Sequence, residues 1–137
     1  MTKEIWLNLP VKDVQKSKQF FTQIGFRLNP RFGDSDQQAG LLIGEKQFVI
    51  MLFPESTFKQ FTGNDIPDAK SATQVLISID AQSREEVDAL LDKVVHAGGT
   101  IFGKPRDQGW MYGAGFADLD GHRWNVLYMD PAEMPSQ

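Results

Sequence analysis

The chain has 137 residues, no cysteine and a formal net charge of −4. That length accommodates one domain or two small modules sharing a core, and the lack of cysteine excludes disulfides and thiolate chemistry and fits a reducing compartment. Acidic and basic residues are interspersed without the basic stripe that supplies nucleic-acid affinity, and no apolar run approaches membrane-spanning length.

The first residues, Met1 to Trp6, hold no apolar signal-peptide core, so the expected location is the cytoplasm. Ile5, Trp6, Leu7 and Leu9 run to Pro10 as a strand signal. Asp13 stands where an N-cap belongs, ahead of Val14, Ser17, Phe21 and Ile24 at helical spacing, and Gly25 closes the helix. Three short strands follow at 26–29, 39–43 and 48–53, the last two joined by a turn at Gly44-Glu45-Lys46. Residues 54–72, rich in turn formers, read as a linker with one helical turn at 55–61.

The pattern then begins again. A β-branched strand at 73–79 precedes Ser83-Arg84-Glu85-Glu86, a capping box opening a helix with Val87, Leu90, Leu91, Val94 and Val95 on one face. Gly98-Gly99 ends it, and strands at 100–102, 109–117 and 122–129 follow, with a short tail at 131–137. The chain is thus read as two βαβββ modules, 3–53 and 73–130. The expected class is α+β, the two modules pairing into a curved mixed sheet with a helix outside each unit and a concave cleft within. A ferredoxin-like domain is the competing architecture, but it would use only about half of these strands.

Alternation divides the side chains of each strand between two faces. Ile5, Leu7 and Leu9 oppose Trp6 and Asn8; Phe48, Ile50 and Leu52 oppose Val49, Met51 and Phe53. Val75, Ile77 and Ile79 oppose Gln74, Leu76 and Ser78; Trp124 and Val126 oppose Arg123, Asn125 and Leu127. One set is apolar and suits packing under the helices. The other mixes amides with large apolar groups, the composition of a small-molecule pocket. The competing reading makes Gln74 and Asn125 satisfied amides at a module interface and Trp6 a core residue.

Other chemistry finds little support. His96 lies in the last turn of the second helix, where a cation complements the helix dipole. His122 follows the turn Asp118-Leu119-Asp120-Gly121, whose carboxylates are suited to accept backbone N–H groups. The remaining ligands of a calcium loop are missing from their required spacing. No Ser sits in a nucleophile elbow, and Gly113-Ala114-Gly115 falls short of a nucleotide-binding loop and is assigned to strand bending. The neighbouring cations Arg27 and Arg31, and Lys104 and Arg106, are read as solvated surface.

Asn8-Leu9-Pro10-Val11-Lys12-Asp13, with Ser17, Phe20-Phe21 and Gly25-Phe26 after it, resembles the opening of the vicinal-oxygen-chelate superfamily of glyoxalases, bleomycin-resistance proteins and extradiol dioxygenases. Phe116-Ala117-Asp118-Leu119-Asp120-Gly121-His122-Arg123-Trp124 resembles its closing hairpin. Gln108 to Gly113 is similar to a lactoylglutathione-lyase-related subgroup. Metal-dependent members hold a divalent ion through His, Gln or Glu on the first, fourth, fifth and eighth strands. The resemblance places those positions on Trp6, Met51, Gln74 and Asn125. An indole N–H only donates, a thioether is poorly matched to the metals of this superfamily, and Asn125 lacks the carboxylate usual beside Trp124.

The resulting expectation is a metal-independent protein, with no cofactor, that binds an amphipathic small molecule. Trp6, Met51 and Phe53 would form its walls; Asn8, Gln74 and Asn125 would orient a polar group; Arg123 would add a charge contact. Trp110 and Tyr112 are further lining candidates. The resemblance also implies a homodimer. The alternatives are a glyoxalase- or dioxygenase-type enzyme with an atypical metal site, and a non-catalytic interaction domain.

Overall fold

The computed structural model describes residues 1–133 and 135; of the expected tail, positions 134, 136 and 137 lie outside the described residues. The chain forms two compact units that divide between Pro67 and Asp68. Each is a four-stranded mixed sheet with a helix packed on one face, an α+β fold.

The first unit runs β1 (Leu7–Val11), α1 (Val14–Gln23), β2 (Arg27–Leu28), a 3-10 turn (Pro30–Phe32), β3 (Ala39–Ile43), β4 (Phe48–Pro54) and α2 (Glu55–Thr62). The second runs β5 (Leu76–Ala81), α3 (Arg84–His96), β6 (Thr100–Asp107), β7 (Met111–Ala117) and β8 (Arg123–Met129). The strand orders are β1-β4-β3-β2 and β5-β8-β7-β6. In each sheet the first strand runs parallel to the last and the other pairs are antiparallel.

The two main helices start and stop by the same devices. Asp13 accepts from the Lys16 N–H at 3.0 Å, and Ser83 accepts from the Glu86 N–H at 3.1 Å. Ser83 thereby satisfies an orphan donor of the first turn of α3, while Glu86 reaches back to the Gln82 N–H just before the cap at 3.0 Å. At the other end Gly25 and Gly98 take φ of 106° and 101°. Both helices close with the paired bonds of a Schellman motif, Phe26 N–H to Phe21 C=O at 2.9 Å in one and Gly99 N–H to Val94 C=O at 2.9 Å in the other. Phe21 and Phe26 stack with centroids 5.8 Å apart, the apolar contact that accompanies such a cap.

Each helix buries one face. Val14, Ser17, Phe20 and Phe21 of α1 pack in a core with Leu9, Val11, Leu41, Ile50 and Leu52. In the second unit Val87, Leu91 and Val94 of α3 share a core with Ala114, Phe116, Trp124 and Val126. Phe116 and Trp124 are register partners whose rings stack at 6.0 Å. Each fully buried large side chain contributes about 1.5–3 kcal/mol, so these two clusters hold the units together.

Several boundaries differ from the expected ones. The strand expected at 26–29 shrinks to two residues, because the Asn29 side chain caps the 3-10 turn by accepting from Arg31 N–H. Residues 55–62 form an eight-residue helix. The fifth strand starts at Leu76, leaving Gln74 and Val75 ahead of it. The sixth continues to Asp107 through Pro105, tolerated because β6 is an edge strand with two register shifts.

Candidate functional site

On the first sheet the face away from α1 carries Asn8 on β1 and Val49, Met51 and Phe53 on β4. Asn8 and Met51 are register partners. Trp6 stands just before β1 and is 55% exposed. The 3-10 turn lies down on this face, because Gly40 of β3 has no side chain there. A Cβ on Gly40 would meet Phe32 at 3.0 Å and the Met51 sulfur at 3.3 Å. The Asn29 N–H donates to Gly40 C=O at 2.8 Å and fixes the approach. Between sheet, turn and N-terminal segment lies a hollow of about 640 Å³, within the usual range for small-molecule sites.

Val49, Met51 and Phe53 line the hollow from the sheet, Asn29, Arg31 and Phe32 from the 3-10 turn, and Glu4, Ile5 and Trp6 from the chain before β1. Lys46 and Gln47 of the β3–β4 turn and Phe48 at the start of β4 complete it. Gln47 takes φ of 54°, the one non-glycine residue with positive φ among those described, at a cost of about 1–2 kcal/mol. Its N–H closes the turn on Gly44 C=O at 3.0 Å. Phe53 meets Phe61 of α2 edge-on at 5.0 Å. Asn8 is partly buried, and its Oδ1 is fully shielded with no hydrogen-bond partner.

On the second sheet the face away from α3 carries Arg123, Asn125 and Leu127 of β8, in register with Leu76, Ser78 and Asp80 of β5. Gly115 of β7 pairs with Asn125. The Phe102 ring lies where a Gly115 side chain would be, 2.4 Å from the position of its Cβ. The Arg123 guanidinium stacks over that ring at 4.2 Å. Arg123 therefore keeps its charge on this face, held against an aromatic neighbour. Gly113 and Gly115, opposite the register shifts of β6, also make room for the Leu127 and Phe102 side chains.

Tyr112 is not a lining residue of this face. It shares the α3 side of β7 with Ala114 and Phe116, and its Oη donates to Asp88 of α3 at 2.7 Å. That bond is the main reason its phenol titrates above the ordinary tyrosine value, with desolvation second. Arg84 lies over the Tyr112 and Tyr128 rings at 5.9 and 5.4 Å and pairs with Asp107 at 3.1 Å. This holds the start of α3 to the β6–β7 loop. Hydrogen bonding from Arg84, then from the Gly109 N–H, keeps the Asp107 carboxyl below its ordinary value. Trp110 is half-buried in the turn before β7, its carbonyl accepting from Asp130 N–H at 2.6 Å. Gln74 is exposed in a bend before β5.

The closing hairpin is structural. Asp118 is buried; its Oδ1 accepts from Asp120 and His122 N–H groups at 3.1 and 3.0 Å, and its Oδ2 from the Trp124 indole at 3.2 Å. Burial raises its pKa, against the opposing pull of His122 and the indole bond. His96 Nδ1 sits 2.8 Å from Asp92 C=O within its own helix.

At the positions that the resemblance assigns to metal ligands, none of the side chains is by its own chemistry a strong ligand. Trp6 offers no lone pair in the ring plane, Met51 is 8% exposed with its sulfur packed by Gly40, and the two amides carry no charge. Among the described residues no three His, Asp or Glu side chains gather to replace them.

Sequence reasoning did not find Arg31, Phe32, Lys46 or Phe48. The one available signal was Asn29-Pro30, a turn start directly before a cation and an aromatic.

The fold and this face define an α+β protein built from repeated βαβββ units. The glyoxalase/bleomycin resistance protein/dioxygenase superfamily model matches residues 5–126, and the chain belongs to that superfamily. It is similar to hypothetical protein SA1046 from S. aureus, with 34% identity over 93% of this chain and 94% of that one, and a TM-score of 0.83. A glyoxalase-related enzyme from Fulvimarina pelagi shares the fold at 16% identity, covering 93% and 88% of the two chains with a TM-score of 0.77. So does the fosfomycin resistance protein FosX from Listeria monocytogenes, complexed with Mn(II) and sulfate, at 20% identity, 97% and 94% coverage and a TM-score of 0.67. No curated protein matches the sequence.

Proposed function

We propose that this chain binds an amphipathic small molecule without using a metal ion, on the sheet faces turned away from its helices. The observation that carries the reading is the donor set. Trp6, Met51, Gln74 and Asn125 offer an indole, a buried thioether and two neutral amides where a dication needs charged or strongly basic ligands. Small-molecule sites combine mostly apolar walls with a few polar groups, and the face bearing Trp6, Asn8, Met51 and Phe53 has that composition. Arg123 and Asn125 give the second sheet a comparable polar pair. In this reading the protein is cytoplasmic, and it acts as a homodimer as the superfamily resemblance implies.

Metal analysis of the purified chain after exhaustive dialysis tests the proposal. The expected result is Zn, Ni, Mn and Fe each far below one per chain, with no hemithioacetal turnover on adding divalent ions. One equivalent of any of these ions retained through dialysis would overturn it in favour of a metalloenzyme of the glyoxalase or dioxygenase type.

A further inference from the structure

We propose that the molecule bound by this chain carries an anionic group on an aromatic-sized apolar body, and that the hollow of the first unit receives it. This rests on the ligand-binding reading above and adds the ligand's charge and place. Two cations, Arg31 and Lys46, border the hollow from separate turns, with Glu4 the single carboxylate among the lining residues. Neither cationic side chain makes a hydrogen bond or ion pair among the described residues. Both are exposed, so their charges remain hydrated and available.

The body of the ligand is specified by the aromatic residues that line the same hollow. Phe32 shares the 3-10 turn with Arg31, Phe48 opens β4 two residues after Lys46, and Trp6 and Phe53 also line the hollow. Trp6 and Phe48 are 55% and 44% exposed. Large aromatic surfaces left open to water beside free cations match a flat apolar ligand whose charged end reaches the rim. The turns are held for this purpose at two points: Phe32 fits over Gly40, and Gln47 keeps its positive φ. The whole chain carries −4, so its overall field opposes an anion. A preference for anions must therefore come from these local charges.

Anilinonaphthalene sulfonate and phenylnaphthylamine share one ring framework and differ in the sulfonate, and titrating each into the folded chain by fluorescence tests the idea. The expected result is one saturable site that binds the sulfonate about tenfold more tightly than the neutral probe, the product of two exposed charge contacts. Arg31→Gln with Lys46→Gln removes the preference and leaves the neutral probe unaffected. Each single variant loses about threefold. Phe48→Ser weakens both probes alike. All these positions are exposed, and circular dichroism confirms that the variants stay folded. Equal affinity for the two probes, or a preference that survives the double variant, overturns the charge assignment while leaving ligand binding intact. Absence of saturable binding by either probe would instead defeat the ligand-binding reading beneath it.

Discussion

Asn8 offers the sharpest physical test, because its Oδ1 is shielded from solvent and has no hydrogen-bond partner. A buried acceptor in that condition costs about 1–3 kcal/mol relative to an apolar group of the same shape. Leu has the same branched four-heavy-atom skeleton as Asn, with two somewhat bulkier methyls in place of the amide oxygen and nitrogen, and a strand favours it slightly more. Against this stands some crowding at the register partner Met51, which is already packed by Gly40. Asn8→Leu is therefore expected to stabilise the chain by about 1–2 kcal/mol net. With a urea m-value of about 1–3 kcal/mol per molar, the midpoint rises by roughly 0.3–2 M. Circular dichroism and tryptophan emission, followed in parallel, would read it. Asn8→Asp drives the same position the other way. A carboxylate without donors there is destabilising at neutral pH, and its folded pKa is raised by burial, so the loss fades as pH falls towards 4. An unchanged or lowered midpoint for Asn8→Leu at constant m would refute the reasoning, since the amide oxygen would then have had a partner.

Gly115→Ala places a methyl about where the Phe102 ring now lies, 2.4 Å from its Cζ; the ring and the Arg123 stacked on it must move, lowering stability by about 1 kcal/mol. Adding Phe102→Ala should recover most of that loss, and additive losses in a thermal-denaturation cycle would contradict the proposed contact. Asp88→Asn removes the chief cause of the raised Tyr112 pKa, so ultraviolet titration should show one phenol moving down towards the ordinary value near 10. Because the folded pKa is the raised one, the stability tied to this bond is complete below the unfolded value and disappears as pH climbs through the folded one. Asp107 behaves in the opposite sense: its carboxyl is lowered by Arg84, so Arg84→Gln should raise its pKa in a carbon-detected titration. Any stability the pair adds is lost as pH falls through the folded value.

Much of the architecture was legible in the sequence because local signals agreed with one another. Asp13 and Ser83 announce helix starts, and Gly25 and Gly98 announce ends, through chemistry confined to a few residues. Alternation on 7–9, 49–53 and 123–127 divides helix-side from opposite-side residues as the structure does, whereas Ile5 and Phe48, expected on the helix side, line the hollow instead. The strand at 111–117 gave no such contrast: Gly113 and Gly115 have no side chain to mark a face, so the side taken by Tyr112 was not readable from the sequence. Its Asp88 partner is 24 residues away, a distance no local pattern reports. Arg31 and Phe32 join the hollow only because β3 presents a glycine beneath them, and Asn8's lack of a partner is a property of packing. The candidate site is thus a tertiary product of turns, while the sheets that carry it are a local one.

Strand β6 ends the second sheet with two register slips and a proline, and β2 ends the first after two paired residues. Neither margin offers a run of backbone long and regular enough to template a further chain. Within each unit taken by itself, the more regular margin is the other one, β1 in the first sheet and β5 in the second, and a Lys or Pro placed there is where engineering against strand addition would act.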